Sequence, residues 1–150
     1  MSACLHFTRR LNIHHARPGV VEASLKIEPY NGTEQSRSTT VHGGLILSLT
    51  DTLGSLALAT KGQFMTGVST DIGASFVKPA GRPGDVLNMT ASLTAMGKSL
   101  AFTRVDFTNS SGDLVAYGHH TKYIGKSIHH SDNVKFSEDG EKIVAGKDVD

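Results

Sequence analysis

At Val41-His42-Gly43-Gly44 a histidine and two glycines stand where an apolar run begins, GGLILSLTDTLGSLALAT from Gly43 to Thr60. If that run is a helix, its first backbone N–H groups have no intrahelical acceptor and carry the positive end of the dipole. Such groups can hold an oxyanion, and two residues without side chains let a ligand carbonyl come close to them. His42 adds a polar side chain at the same mouth. A plainer reading is also open: the glycines permit a tight turn into the helix and His42 caps it. Asp51 is the second feature, a carboxylate in the middle of the most apolar segment of the chain. It is costly there unless paired, hydrogen-bonded or functional. Either it is buried and satisfied by neighbouring Ser and Thr, or it does chemistry. Nine residues of helical rise separate it from His42, about 13.5 Å, too far for both to reach one substrate carbonyl. A site that uses both takes Asp51 from a second copy of the helix lying antiparallel beside the first. That predicts a two-fold homodimer with two composite sites.

The elements that must position these residues are legible around the run. Val21, Ala23, Leu25 and Ile27 alternate with polar residues, a strand that Pro29 ends. Asn31 to Thr40 is polar and reads as a loop into the helix. After the helix, Gly67 to Lys78 alternates again, and Pro79, Gly81, Pro83 and Gly84 form a dense turn signal. Val86 to Met96 is the cleanest strand. Leu100 to Thr108 and Leu114 to Ile124 flank Asn109-Ser110-Ser111-Gly112-Asp113, a hairpin loop. The order is strand, one long helix, four strands. This predicts an α+β fold with an antiparallel sheet covering a single helix, because the short turns leave no room for crossover helices.

The helix run is long and apolar enough to suggest a membrane span, but Asp51 at its middle and Ser48, Thr50, Thr52 and Ser55 argue against it. A core helix, apolar nearly all round and wrapped by other structure, is the expectation. With 150 residues, 38% hydrophobic and 19% charged, the chain has one domain's worth of core and neither collagen-like, coiled-coil nor disordered composition. A net charge of +1 argues against a dedicated nucleic-acid binder. The lone cysteine, Cys4, cannot close an intramolecular disulfide, which suits a reducing compartment. Arg9, Arg10 and Arg17 precede the first acidic residue, Glu22, the charge bias of a mitochondrial presequence, although Leu5, Phe7, Leu11 and Ile13 alternate as in a strand. The expected compartments are the cytoplasm or the mitochondrial matrix. Residues 128–150 carry six acidic residues and three lysines, a polar tail or a small hairpin turning at Asp139-Gly140. The histidine pairs His14-His15, His119-His120 and His129-His130 suggest no metal: neighbours on a strand point to opposite faces, and no ligand cluster stands beside them.

The runs VHGGLILSLTDTLGSLALA, GVSTDIGASFVKPAGRPGD and GKSLAFTRVDFTNSSGDLVAYGHHTKYIG, in that order, resemble the hotdog-fold acyl-CoA thioesterases. The similarity is to the branch that holds thioesterase superfamily member 2 and the PaaI-like thioesterases of bacterial phenylacetate pathways, over about Pro18 to Gly125. It implies a long helix wrapped by a curved antiparallel sheet, a homodimer joined edge to edge, and usually a homotetramer. The implied divisions are an N-terminal segment 1–17, a hotdog domain 18–127 and the C-terminal stretch 128–150. That segment is shorter than the helical one in near relatives, and the tail is longer than theirs.

The same resemblance assigns roles. The amide of Gly43 polarises the thioester carbonyl, with Gly44 beside it and His42 positioning the thioester. Asp51 of the partner subunit is the general base or the nucleophile, and Ser69 helps to hold the attacking water. Ser36 stands where the branch often has an asparagine, six residues before the motif histidine, and Asn31 is an alternative if the loop is re-registered. Lys98, Ser99 and Lys122, with Lys78 and Arg82, resemble the edge that meets the phosphates of coenzyme A. Leu45, Leu49 and Leu53 either select the acyl chain or are core. The implied activity is hydrolysis of fatty or aryl acyl-CoA to the free acid and coenzyme A, with no cofactor, coenzyme A being part of the substrate. Two rivals stand beside it: a hotdog hydroxyacyl-thioester dehydratase, and a non-catalytic acyl-CoA binding or regulatory protein.

Overall fold

In a computed structural model, residues 11–32 and 40–147 are described. Strands β1 (Leu11–Arg17) and β2 (Val20–Lys26) precede one long helix, α1 (Gly43–Ala59). Strands β3 (Val68–Phe76), β4 (Val86–Met96), β5 (Leu100–Thr108) and β6 (Leu114–Tyr123) follow it. These strands make one antiparallel sheet in the order β1-β2-β4-β5-β6-β3, with α1 lying on it. β3 returns from the helix to the far edge, so its outer side pairs with no strand among the described residues.

Alternation and register together build the core. Val21, Ala23 and Leu25 of β2 stand opposite Ala91, Met89 and Leu87 of β4, so residues of one pleat meet in layers. All six are buried. Across the layer, α1 offers Leu45, Ile46, Leu49, Leu53, Ala57 and Leu58, spaced three and four residues apart, to the same face. Full burial of Leu53 alone is worth roughly 1.5–3 kcal/mol.

The helix is not wrapped all round, as its composition suggested. Gly44, Leu47, Ser48, Asp51 and Leu56 form an exposed stripe on the side away from the sheet. One sheet face covers only one side of a helix, so a single chain leaves the other bare. Two glycines set how closely the layers approach. A Cβ on Gly118 of β6 would lie 2.2 Å from Thr50 Oγ1, and one on Gly54 of α1 would lie 2.5 Å from Thr103 Oγ1.

Two parts extend the expected order. β1 lies within the segment set apart as 1–17, yet it pairs with β2 from Leu11↔Leu25 to Arg17↔Val20. The rest of the presequence-like stretch, with Cys4, lies outside the described residues. At the other end, β7 (Lys135–Phe136) and β8 (Ile143–Ala145) form a small hairpin with Asp139-Gly140 in its turn. Its approach is tied to the loop after α1, where Val134 N–H donates to Gly62 O at 2.9 Å and Phe64 N–H to Asn133 Oδ1 at 2.9 Å. No helix among the described residues is long and apolar enough to cross a membrane.

Candidate active site

The start of α1 is built by its own sequence. His42 has extended backbone and acts as N-cap, with Nδ1 accepting from Gly44 N–H at 2.9 Å. Its carbonyl accepts from Leu45 N–H at 2.9 Å. Gly43 N–H, at the positive end of the helix, has no acceptor among the described residues. So the capping role foreseen for His42 is realised, and it leaves one donor open beside it. The glycines leave space at the helix start, and neither has a positive φ. A Cβ on Gly43 would lie 3.0 Å from the Phe76 ring, and one on Gly44 would lie 3.0 Å from His42 Nδ1. Just before the helix, Gly32 bridges Val41, and His42 N–H donates to Asn31 O at 2.9 Å. Asn31 is buried, and its side-chain oxygen accepts from Glu28 N–H at 2.7 Å. It caps a local turn and also lines, with His42 and Gly44, a pocket at the start of the helix. Ser36 lies outside the described residues.

Two turns further along the bare face, Asp51 has a side chain 56% exposed, which excludes the buried, Ser- and Thr-satisfied carboxylate. Its neighbour is His120, a residue that sequence reasoning treated only as half of a histidine pair. His120 is fully buried, with Nδ1 3.6 Å from Asp51 Oδ1 and Nε2 2.7 Å from Ser69 Oγ. The longer of these is too long for a hydrogen bond, and Nδ1 has no hydrogen-bond partner among the described residues. Burial pushes the imidazole below its ordinary pKa, the Lys122 charge adds to that, and the Asp51 charge opposes it. His120 is therefore neutral near pH 7. In the tautomer that carries its proton on Nδ1, that N–H faces the carboxylate and Nε2 accepts from the Ser69 hydroxyl. The alternation Ala116, Gly118, His120, Lys122, Ile124 was the available signal, since it places His120 on the inward side of a strand. His119 faces outward, 3.0 Å from Asp71 Oδ2.

Lys122 departs from its expected place at the phosphate edge. It is 5% exposed, and its ammonium donates to Ser55 Oγ at 2.7 Å and Thr66 Oγ1 at 3.2 Å. Burial lowers its pKa and the Asp51 charge partly restores it. The inward side of β6 turns it under the helix, where it acts as a positive counter-charge near Asp51. Lys98 and Ser99 are exposed in the β4–β5 turn. Lys78 and Arg82 are exposed beyond the opposite end of β3, with Lys78 paired to Asp113 at 3.3 Å. Leu45, Leu49 and Leu53 are core, at most 4% exposed.

One chain thus carries two separate groups of candidate residues. Asp51, His120, Ser69 and Lys122 converge at one place, and His42, Gly43 and Gly44 lie at the helix start, about 12 Å away for eight residues of helical rise. Among the described residues no cluster of three His, Cys, Asp or Glu is placed to hold a metal.

One long helix laid across a six-stranded antiparallel sheet is the architecture of the hotdog fold, and the chain is a thioester hydrolase of that fold. The chain belongs to the thioesterase superfamily, which matches residues 38–116. Human acyl-coenzyme A thioesterase 13 is 36% identical over 117 residues, covering 77% of this chain and 81% of that protein. The crystal structure of zebrafish thioesterase superfamily member 2 superposes with a TM-score of 0.74 at 29% identity, over 83% of this chain and 88% of that one. Mouse thioesterase superfamily member 2 gives 0.70 at 31% identity, over 83% and 90%.

Proposed function

We propose that this protein hydrolyses acyl-CoA to the free acid and coenzyme A, as a homodimer that pairs again into a tetramer, without a metal or prosthetic group. The observation that carries the reading is the open Gly43 N–H at the start of a helix whose bare face also carries the Asp51 carboxylate. In the dimer, Asp51 of the partner subunit reaches the carbonyl that Gly43 polarises. A water oxygen bonds to the carbonyl carbon while its proton passes to that carboxylate, and the new oxyanion accepts from Gly43 N–H. The tetrahedral centre then collapses, the C–S bond breaks, and the thiolate leaves and takes up the proton.

Ser69 and His120 come from the same chain as Asp51. The hydroxyl holds the water, and the neutral imidazole orients the hydroxyl. The bare helix stripe and the open edge of β3, with Val68 63% and Phe76 60% exposed, support association with a second copy. Lys98 and Ser99, with Lys78 and Arg82, are the groups proposed to meet the coenzyme A phosphates. The cytoplasm or the mitochondrial matrix is the proposed compartment.

The test is thiol release from acyl-CoAs of graded length. Release by the parent chain, abolished in Asp51→Asn, supports hydrolysis; binding without release turns the reading to a non-catalytic binder, and hydration of enoyl-CoA without thiol release turns it to a dehydratase. A single turnover in ¹⁸O-labelled water separates the two roles of Asp51. Label confined to the product acid supports the base, and label in the Asp51 peptide assigns the nucleophile.

A further inference from the structure

Residues 60–67 lead from the end of α1 to the start of β3, and so from the helix that carries Asp51 to the strand that carries Ser69. Two backbone groups of this loop are held by the C-terminal segment, which lies beyond the residues 38–116 matched to the family. Val134 N–H donates to Gly62 O, and Phe64 N–H donates to Asn133 Oδ1, each at 2.9 Å. We propose that Asn133 is a positioning residue: it sets this loop so that Thr66 holds the Lys122 ammonium in place beside the Asp51 group. The proposal rests on the thioesterase reading and adds the C-terminal segment to its site.

Asn133 is the residue type that the place requires. Its Nδ2 donates to Ser127 O at 2.9 Å and to Ile128 O at 3.1 Å, so its acceptor serves the loop while its donors grip the turn after β6. Aspartate has no donor for those carbonyls. The turn itself is a firm base, with Ser127 3% exposed and Ile128 packed on the buried Leu58, Ala101 and Ile124.

The hold is local. Around it a cleft of about 720 Å³ separates Gln63 and Phe64 of the loop from Phe136 and Ile143 of the β7–β8 hairpin, so close packing does not fix the loop there. Where the two backbones do meet, Gly62 has a φ of +89°, and a Cβ on it would run into Val134 O. Only glycine fits that contact.

Thr66 follows Phe64 by two residues and carries the effect to the charge. Its Oγ1 accepts from the Lys122 ammonium at 3.2 Å, and the other acceptor is Ser55 Oγ at 2.7 Å, one helical turn past Asp51. A buried ammonium on a flexible four-carbon stem stays where its acceptors stand. The Lys122 charge is felt at His120, and it interacts with the Asp51 charge. Moving Thr66 therefore changes the field at both groups without altering either of them.

The experiment is a double-mutant cycle on the full chain, reading kcat and KM for the acyl-CoA that the parent turns over fastest. Asn133→Ala and Thr66→Val should each lower kcat by about tenfold, inside the hundredfold that a small misplacement can cause, with KM held within about threefold. The double variant should be no worse than Thr66→Val alone, since the first change acts through the second. Losses that multiply overturn the proposal, as does an Asn133→Ala protein that melts earlier but keeps the parent's kcat below its transition. Asn133→Asp, equal in size, loses only the two donations and takes the alanine's place in the cycle if that variant does not fold. His130→Ala removes the ring stacked on Phe64, 5.0 Å between centroids, and leaves the Asn133 bonds intact. It should keep the parent's kcat; an equal loss there assigns the effect to general loosening and overturns the proposal.

Reductive methylation of Lys122, followed by mass spectrometry, gives a readout free of catalysis. Labelling should be about fivefold faster or more in Asn133→Ala, because local opening exposes the amine. Unchanged labelling overturns the proposal. If the parent releases no thiol but Lys122 labels faster in the variant, the hydrolase reading falls and the link from Asn133 to Lys122 stands.

Discussion

Ser69 Oγ and His120 Nε2 lie 2.7 Å apart, joining the edge strand β3 to the buried side of β6 and ending at Asp51 on the helix. The imidazole lies between the Ser69 hydroxyl and the one carboxylate of α1. The arrangement has the order of a serine, a histidine and an aspartate, but the proposed chemistry uses it to hold water. Ser69→Ala should lower kcat by about tenfold to a hundredfold, within the range for a positioned polar group. Mass spectrometry of the quenched parent should find no acyl group on Ser69; a stoichiometric acyl-serine would reassign the nucleophile.

Asp51→Asn should reduce turnover by about a hundredfold or more, equivalent to at least about 2.7 kcal/mol of barrier. Because the side chain is exposed, the variant should keep the parent's circular dichroism and melting midpoint. Full activity in a folded variant would remove Asp51 from the mechanism.

Mixing His42→Ala and Asp51→Asn chains tests the composite site. In a hybrid dimer one site carries both changes and the other carries neither. Subunit exchange should therefore restore thiol release from two inactive stocks, while sites contained within single chains would stay silent.

The buried His120 makes stability depend on pH. Its folded pKa lies below its unfolded value near 6.5, so the unfolded chain takes up the proton first as pH falls. The stabilisation is fully present above about pH 6.5 and is lost as pH drops toward the folded pKa. Urea midpoints measured between pH 7.5 and pH 5 should fall in the parent, and the slope contributed by this group should vanish in His120→Gln.

Gly118→Ala places a methyl group against Thr50 and should destabilise the protein by roughly 1–3 kcal/mol, the usual range for overpacking. At about 2–4 °C per kcal/mol for a chain of this size, the melting midpoint should drop by several degrees. Thr50→Ala in the same chain should recover part of the loss.

The sequence by itself determined the elements and their kind. Alternating residues such as Leu87, Met89 and Ala91 can bury only as a strand, and leucines spaced three and four apart only as a helix. His42, Gly43 and Gly44 were legible because the helix N-terminus is a local structure, complete within four residues. Asp51 was legible because a carboxylate in an apolar run is conspicuous wherever the run lies.

Tertiary structure alone decided what Asp51 meets. His120 is 69 positions away in sequence, and only the return of β3 to the outside of β6 brings Ser69 against it. Lys122 looked like a surface cation because nothing local shows which side of β6 faces the helix; packing turned it inward to Ser55 and Thr66. The bare stripe of α1 belongs to the same order of fact. Periodicity reports how much of a helix is apolar, but the width of one sheet face decides how much of it a single chain can cover.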